Sequence, residues 1–305
     1  MTENDVLAEQ ALLQALTHYT FTYPGFIGTE TAEAANLIDP WVELTDILFN
    51  EQREGSLKYN FLLYIRSVHA ARDHWSVDTW RVLRGMEEAW MTVKGIARPG
   101  HLKMQHVLDS LVTSVVAFIG MNRESISRQQ GWIMMDMGRK IEQCLLLTSM
   151  LRATLVNQYN DQVDYSLQEA VLVSNEGLVN FRYKYRSLIQ LLLVLDLMIF
   201  DTSNPRALIY QLDRLKKHLE NLPKNNHEHS LSDHDLLVRK SYDLVSLANR
   251  ETLCTLDADA NQYVHLDDFL SEIYQLLSGI QQAISKTYFK HAQSPKQLFS
   301  TNQPG

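Results

Sequence analysis

Apolar residues recur at helical spacing along almost the whole of this chain. Leu7, Ala11, Leu12 and Leu16 share one face of a helix predicted over 7–19. Pro24, Gly25 and Gly28 in TYPGFIGTET predict a turn or loop, with Phe26 as a buried plug. Asp39 and Pro40 have the residue types of an N-cap and a first helical position, where proline has no helical hydrogen bond to lose; that helix runs through Phe49. Over 56–73, Leu57, Phe61, Tyr64, Ile65, Val68 and Ala71 form an i, i+4, i+7 stripe. Ser76 is the expected cap of a helix over 77–93, with Trp80, Leu83, Ala89, Trp90 and Val93 turned inward. Pro99 and Gly100 mark a loop, and 101–121 is strongly apolar along Val107, Leu108, Leu111, Val115, Phe118 and Ile119.

The stretch from Gly120 to Val156 combines helical periodicity, an apolar face and charges set within that face. Gly131 ends a short connection, and a helix from Trp132 to about Val156 places Trp132, Met135, Ile141, Leu145, Thr148 and Leu151 together. Ser166 and Glu169 have capping-box spacing and predict a helix to about Tyr185. Ser187 to Phe200 is a further apolar helix. Asn204 as N-cap and Pro205 at the first position restart the chain in a helix ending near Leu222 and Pro223. Residues 224–230 are a polar loop. Ser232 with Asp235 opens a helix to about Cys254, and Phe269, Ile273, Leu276, Leu277, Ile280 and Ile284 mark the last helix, over 266–289. No strand-like alternation extends over six residues. The expectation is an all-α bundle of roughly nine or ten long helices, one domain over 1–290 with a flexible tail over 291–305.

Composition sharpens this picture in three ways. Only 12 Gly and 7 Pro in 305 residues favour long helices over turn-rich folds. The net charge of -8 argues against a broad nucleic-acid-binding face. Cys144 and Cys254 lie in apolar helical context and read as buried free thiols. The opening MTENDVLAEQ has no basic region followed by an apolar run, and Leu191 to Phe200 is interrupted by Asp196 and too short to span a bilayer. The expected location is therefore the cytoplasm, with no membrane partner.

Candidate chemistry is sparse. Glu124 and Arg128 lie four apart and Arg139 and Glu142 three apart, so each pair shares a helix face. Such a cluster beside Trp132 and Met134–Met135 can line a cleft and hold a carboxylate or phosphate, or it can be ion pairs that fix a helix crossing. Arg72, Asp73 and His74 suit a helix C-terminus. His227, His229 and His234 lack standard zinc spacing. Residues 257–268 approach a calcium loop but carry Gln262 where the turn glycine belongs and Asp268 in place of the bidentate glutamate. No GxSxG, P-loop, GxGxxG or HExxH pattern occurs, and neither does the E-x-x-H of di-iron bundles. No catalytic residue, metal or cofactor is expected.

Several separated motifs carry a family resemblance: ARDHWSVDTWRVL over 71–83, RESISRQQGWIMMDMGRKIEQ over 123–143, YRSLIQLLLVLDLMIFDTSNPRALIYQLDRLKKHLENLP over 185–223, and YFKH over 288–291. In these the chain resembles the alpha-E family of bacterial all-helical domains. It looks closest to the form fused to, or encoded beside, a circularly permuted ATP-grasp protein. Glu124, Arg128, Arg139, Glu142, Asn204 and Arg206 match positions of the family pattern, with Arg72 a further candidate. Two departures stand out. The family's first helix, with its own Glu-Arg motif, is expected to be missing, and Gln143 stands where an arginine is expected. The resemblance implies an accessory protein that binds or positions an ATP-grasp ligase, a transglutaminase-like protein or their peptide product. The alternative it leaves is an enzyme acting on an amide or carboxylate through the Glu/Arg cluster. A groove left by a missing helix would also favour a homodimer.

Overall fold

The computed structural model describes residues 2–27, 40–91, 100–222 and 232–289. These are all-α, with two isolated bridges, Asn157 to Gln262 and Asp257 to Gln262, and no strand among the described residues. Thirteen α-helices are present there, against nine or ten expected; two of the expected long helices are each broken in two.

The first half is α1 (Glu3–Thr20), α2 (Pro40–Phe49), α3 (Leu57–Ala70), α4 (Val77–Met91) and α5 (His101–Ser125). Ser56 caps α3 by accepting from the Tyr59 amide at 3.0 Å, and Ser76 caps α4 through Thr79 at 3.2 Å. The Asp39 cap expected before α2 lies outside the described residues, as do 223–231 and the tail from 290. Phe26 is half-buried rather than sealed. Arg53 ties α2 to the segment after α1: it pairs with Glu43 and Asp46, each at 2.6 Å, and donates to the Thr22 carbonyl.

The second half is α6 (Gln130–Leu155), α7 (Asp161–Ser174), α8 (Leu178–Tyr185), α9 (Leu191–Leu195, continued by a π turn over Asp196–Phe200), α10 (Leu208–Glu220), α11 (Asp233–Leu247), α12 (Arg250–Leu253) and α13 (Val264–Tyr288). Four sequence expectations give way here. The helix expected from Ser166 begins at Asp161, capped by Asn160, which accepts from the Val163 amide at 3.0 Å. Ser166 lies inside that helix with its hydroxyl spent on the Gln162 carbonyl at 3.0 Å. The helix then ends at Ser174, because Glu176 takes a left-handed φ of 54° and the Gly177 amide bonds back to the Leu172 carbonyl at 2.7 Å.

The third expectation concerned Asn204 and Pro205. Asn204 is buried and closes a turn rather than capping a helix. Its amide donates to the Leu197 carbonyl at 2.9 Å and its oxygen accepts from the Arg206 amide at 3.0 Å, so α10 starts only at Leu208. The helix expected to reach Cys254 is likewise interrupted at Asn249, whose side chain accepts from the Glu251 and Thr252 amides and starts α12 afresh. Asp196, within an apolar segment, turns its carboxylate outward to Tyr185, to Lys184 at 3.0 Å and to Arg250 at 3.2 Å.

The helix α6 organises the molecule. It packs against α1, α7, α10 and α13, and α13 in turn packs against α11 and α12. Cys144, Leu151, Phe181, Leu195, Met198, Leu212, Leu270 and Leu277 are fully buried in the resulting core. A second, smaller core joins α3, α4 and α5 through Ile65, Val68, Leu83, Met86, Trp90, Val107, Leu111 and Phe118. Among the described residues α5 is the one helix long and apolar enough to cross a membrane by length and composition. Its Val107, Leu111 and Phe118 face is packed in the second core, while Val112 and Val116 are exposed.

Candidate functional site

The two cores are not sealed together. Between the α3–α4–α5 layer and the first turns of α6 lies a cavity of about 410 Å³. Phe61, Tyr64, Trp90, Leu111, Phe118, Trp132 and Met135 form most of its wall, with Tyr64 edge to face on Phe118 and Phe61 tilted against Trp90, each pair 5.5 Å between centroids. The helical stripes of α3, α4 and α5 place these aromatics, and the change of course between α5 and α6 at 126–129 leaves the space in front of them.

Polar atoms in this wall are left over. Asn122 on α5 is 2% exposed, and neither its Nδ2 nor its Oδ1 has a protein partner. The Tyr64 hydroxyl and the Trp90 indole N–H are also buried without one. Asn60, by contrast, is spent on the Ser56 carbonyl at 3.0 Å. Each unmade buried hydrogen bond costs about 1–3 kcal/mol, so three such side chains around one space form an uncommon concentration. Burial pushes the Tyr64 phenol well above its ordinary pKa, so it stays neutral and can both donate and accept.

At one end the wall includes Asp136 and Arg139 of α6. Asp136 is 5% exposed. It takes a hydrogen bond from His218 Nε2 of α10 at 2.7 Å and another from the Arg139 guanidinium. Burial alone would raise its pKa, but the His218 bond and the charges of Arg139 and Lys140 outweigh it and hold the carboxyl well below its usual range. Lys140, 9% exposed, is lowered chiefly by burial, against the pull of Asp136. Trp132 meets His218 edge-on at 5.6 Å, and Arg128 lies over the Trp132 ring at 4.0 Å.

The residues expected from the sequence are thus only partly gathered. Arg128 and Arg139 reach this region, one over Trp132 and the other on Asp136. Glu124 is exposed on the last turn of α5, and Glu142 is exposed further along α6, accepting from Gln281 of α13 at 3.3 Å. Arg72 is exposed beside Asp73 at 3.7 Å, Arg206 is exposed, and Asn204 closes its turn. Asp136 and His218 were missed. Asp136 was legible as an acid three residues before Arg139 on an apolar face, whereas nothing near His218 points to α6.

His227 and His229 lie outside the described residues, and His234 is buried against Tyr288, with 5.6 Å between ring centroids. Among the described residues no three His, Cys, Asp or Glu side chains gather to hold a metal. Asp257 instead closes a turn by accepting from the Asp259 and Ala260 amides. A second depression of about 460 Å³, beside α1 and α13, has a mixed lining in which polar side chains bond one another: His18 to Tyr23, Arg152 to Asp267, and Gln262 to Asn157.

Residues 3–289 match Alpha-E, described as a predicted alpha-helical domain with a conserved ER motif. The chain belongs to the Alpha-E family. This Alpha-E chain contains no Glu-Arg dipeptide; Glu142-Gln143 stands in the GRKIEQ segment, and Gln143 Oε1 is buried without a protein partner. Uncharacterized protein Mb2597 of Mycobacterium bovis and the uncharacterized proteins MT2643 and Rv2567 of Mycobacterium tuberculosis are each 29% identical to it over 249 residues. The match takes in 79% of this chain and 26% of each relative, so the chain spans about a quarter of their length. No solved structure matches it.

Proposed function

We propose that this Alpha-E chain is a non-catalytic helical partner in a cytoplasmic peptide-ligating or peptide-modifying system. It docks on an ATP-grasp ligase or a transglutaminase-like protein and holds a small group of the product in the cavity between α3–α5 and α6. The family resemblance supports the ATP-grasp association, and the greater length of the relatives fits a domain that works joined to others.

One observation carries the binding role. The cavity is open and walled by aromatic rings, while the reactive groups beside it are spent. Phe61, Trp90, Phe118 and Trp132 give it an apolar, concave surface, which suits an apolar group of a ligand, and the unpartnered polar atoms of Asn122, Tyr64 and Trp90 are buried within that wall. Both oxygens of Asp136 are engaged, and burial pushes the Cys144 thiol up to about 12, away from nucleophilic use. The test is co-purification with an ATP-grasp protein of the same organism, followed by titration of the two purified proteins. A complex is expected, and none at micromolar concentrations refutes the reading.

The 2.7 Å contact of Asp136 with His218 favours one alternative, an enzyme acting on an amide or carboxylate of a peptide-like substrate, because a buried carboxylate orienting an imidazole is an acid–base arrangement. Turnover of peptide amides by the purified chain, abolished in His218→Gln, would put the enzyme in place of the partner.

A further inference from the structure

The outer face of α5 is exposed and largely apolar. Met104, Val107, Leu111, Phe118 and Asn122 turn inward. On the opposite side Leu102, Val112 and Val116 are exposed, the last two at 61% and 63%, in line with Asp109, Gly120 and Arg123. We propose that this face is where two copies of the chain pair, with their α5 helices antiparallel about a two-fold axis at Val116.

The placement of charge along the stripe selects that partner. Asp109 and Arg123 each lie seven residues, about 10.5 Å, from Val116 on one side of the helix. Antiparallel pairing about Val116 sets each Asp109 against the partner's Arg123, so two opposite-charge contacts flank the apolar centre. Parallel pairing would set acid on acid and base on base. Neither side chain is tied up in an ion pair among the described residues, so both can serve a second copy. Such a patch is self-complementary, which is what a two-fold dimer requires.

Gly120 fits the same symmetry. It lies four residues beyond Val116, as Val112 lies four before, so the two oppose each other across the axis. A glycine inside a helix is less stable than alanine there. Among the described residues nothing comes within 4 Å of where its Cβ would stand, so packing within the chain does not require it. Close approach of a second α5, with the partner's valine against Gly120, does.

A lipid surface fits less well. An interfacial helix keeps its acids off the apolar face, and here Asp109 stands within it, between Leu102 and Val112. The expected dimer is weak. A face of 25 residues is about 37 Å long and about 10 Å wide, roughly 400 Å² per copy against about 800 Å² in a standard interface, which points to a micromolar Kd.

Sedimentation velocity on the full chain, from micromolar to millimolar concentration, tests this. A concentration-dependent monomer–dimer equilibrium is expected, weakening as salt rises. Asp109→Arg alone and Arg123→Asp alone should each weaken it about tenfold or more, because two attractive contacts become two repulsive ones. The double exchange, D109R with R123D, should restore it. Val116→Asp should leave a folded monomer, since the side chain is exposed, and circular dichroism checks that fold. In Val116→Cys the two thiols meet at the axis, so mild oxidation should link the copies through position 116.

A chain that stays monomeric at millimolar concentration overturns the proposal. So does a dimer untouched by Val116→Asp, or a double exchange as weak as the single changes. Binding to phosphatidylcholine vesicles by a chain that never dimerises would make the face a membrane contact instead, and overturns it too. Docking on an ATP-grasp protein is measured separately, so either result can fail while the other stands.

Discussion

Replacing Asp136 by Asn removes one charge from a sealed polar cluster and changes little else in shape. The carboxylate is 5% exposed and serves His218 and Arg139, with Lys140, 9% exposed, leaning on the same charge. The asparagine can still accept one bond, but its own N–H groups then face donors, and Lys140 loses its compensation. Removing one partner of a buried pair costs about 3–5 kcal/mol. The Arg139 side chain is 33% exposed and can turn to water, so about 3 kcal/mol is the expected loss. At about 2.1 cal/mol/K per residue of unfolding entropy over 305 residues, that is a fall in Tm of about 5 °C.

The pH dependence has a definite sign. Because His218, Arg139 and Lys140 together outweigh burial, the Asp136 pKa is lower in the folded chain than in the unfolded one. Its contribution is therefore complete above the unfolded value, near 4, and is lost as pH falls through the folded value. The gap between the unaltered chain and D136N should be constant from pH 7 to about 5 and shrink below about 4. Urea unfolding followed by circular dichroism at pH 7, 5 and 3 measures it. A loss under about 1 kcal/mol at pH 7, or a gap that widens in acid, refutes the reasoning. A cycle with His218→Gln should show a coupling of about 0.5–3 kcal/mol, and strict additivity would mean that the pair does not act as a unit.

The remaining predictions are cheaper to test. Asn160→Ala should cost about 1 kcal/mol, and Ser166→Ala within about 0.5, because only the first accepts from a helix-opening amide; urea midpoints at constant slope will tell. Asn122→Leu should leave stability unchanged or raise it by about 1 kcal/mol, since it removes two unmade hydrogen bonds, and a loss above 1 kcal/mol would mean that its amide is engaged. Burial pushes the thiols of Cys144 and Cys254 up to about 12 and about 11. Neither should react with Ellman's reagent at pH 8 until denaturant is added, and a fast native reaction would contradict their placement.

The helical stripes were readable because burial on one face repeats every 3.6 residues whatever the partner is, and the cap at Ser76 was readable because it is local. The misreadings are just as physical. Ser166-Leu167-Gln168-Glu169 has capping-box residue types, but an Asn six residues earlier offers a cap at a point where more of the following apolar face, Val163 included, becomes helical. The break after Ser174 rests on a left-handed Glu176, a conformation that its residue type does not advertise. Asn204 was misread for a related reason: the same short amide that suits an N-cap also closes a turn, and the tertiary partner, the Leu197 carbonyl, decides between them.

The site divides along the same line between local and distant. Arg139 was found because charge beside apolar positions is visible on one helix; His218, on another helix and 82 residues beyond Asp136, was not. The aromatic wall was read as core, and it is core, but an incompletely filled one, and no stripe reveals whether the face opposite is occupied. What the sequence did carry is Asn122. It falls four residues after Phe118, seven after Val115 and eleven after Leu111, on the stripe where an apolar side chain would cost nothing. An amide at such a position must meet a partner within the fold or leave its bonds unmade, and here it has none in the protein. A stability-driven sequence would put leucine there. A polar residue in phase with an apolar stripe, and unpartnered when the fold is seen, accordingly marks the unfilled part of the core more specifically than the exposed carboxylates of Glu124 and Glu142, which helix surfaces carry at little cost.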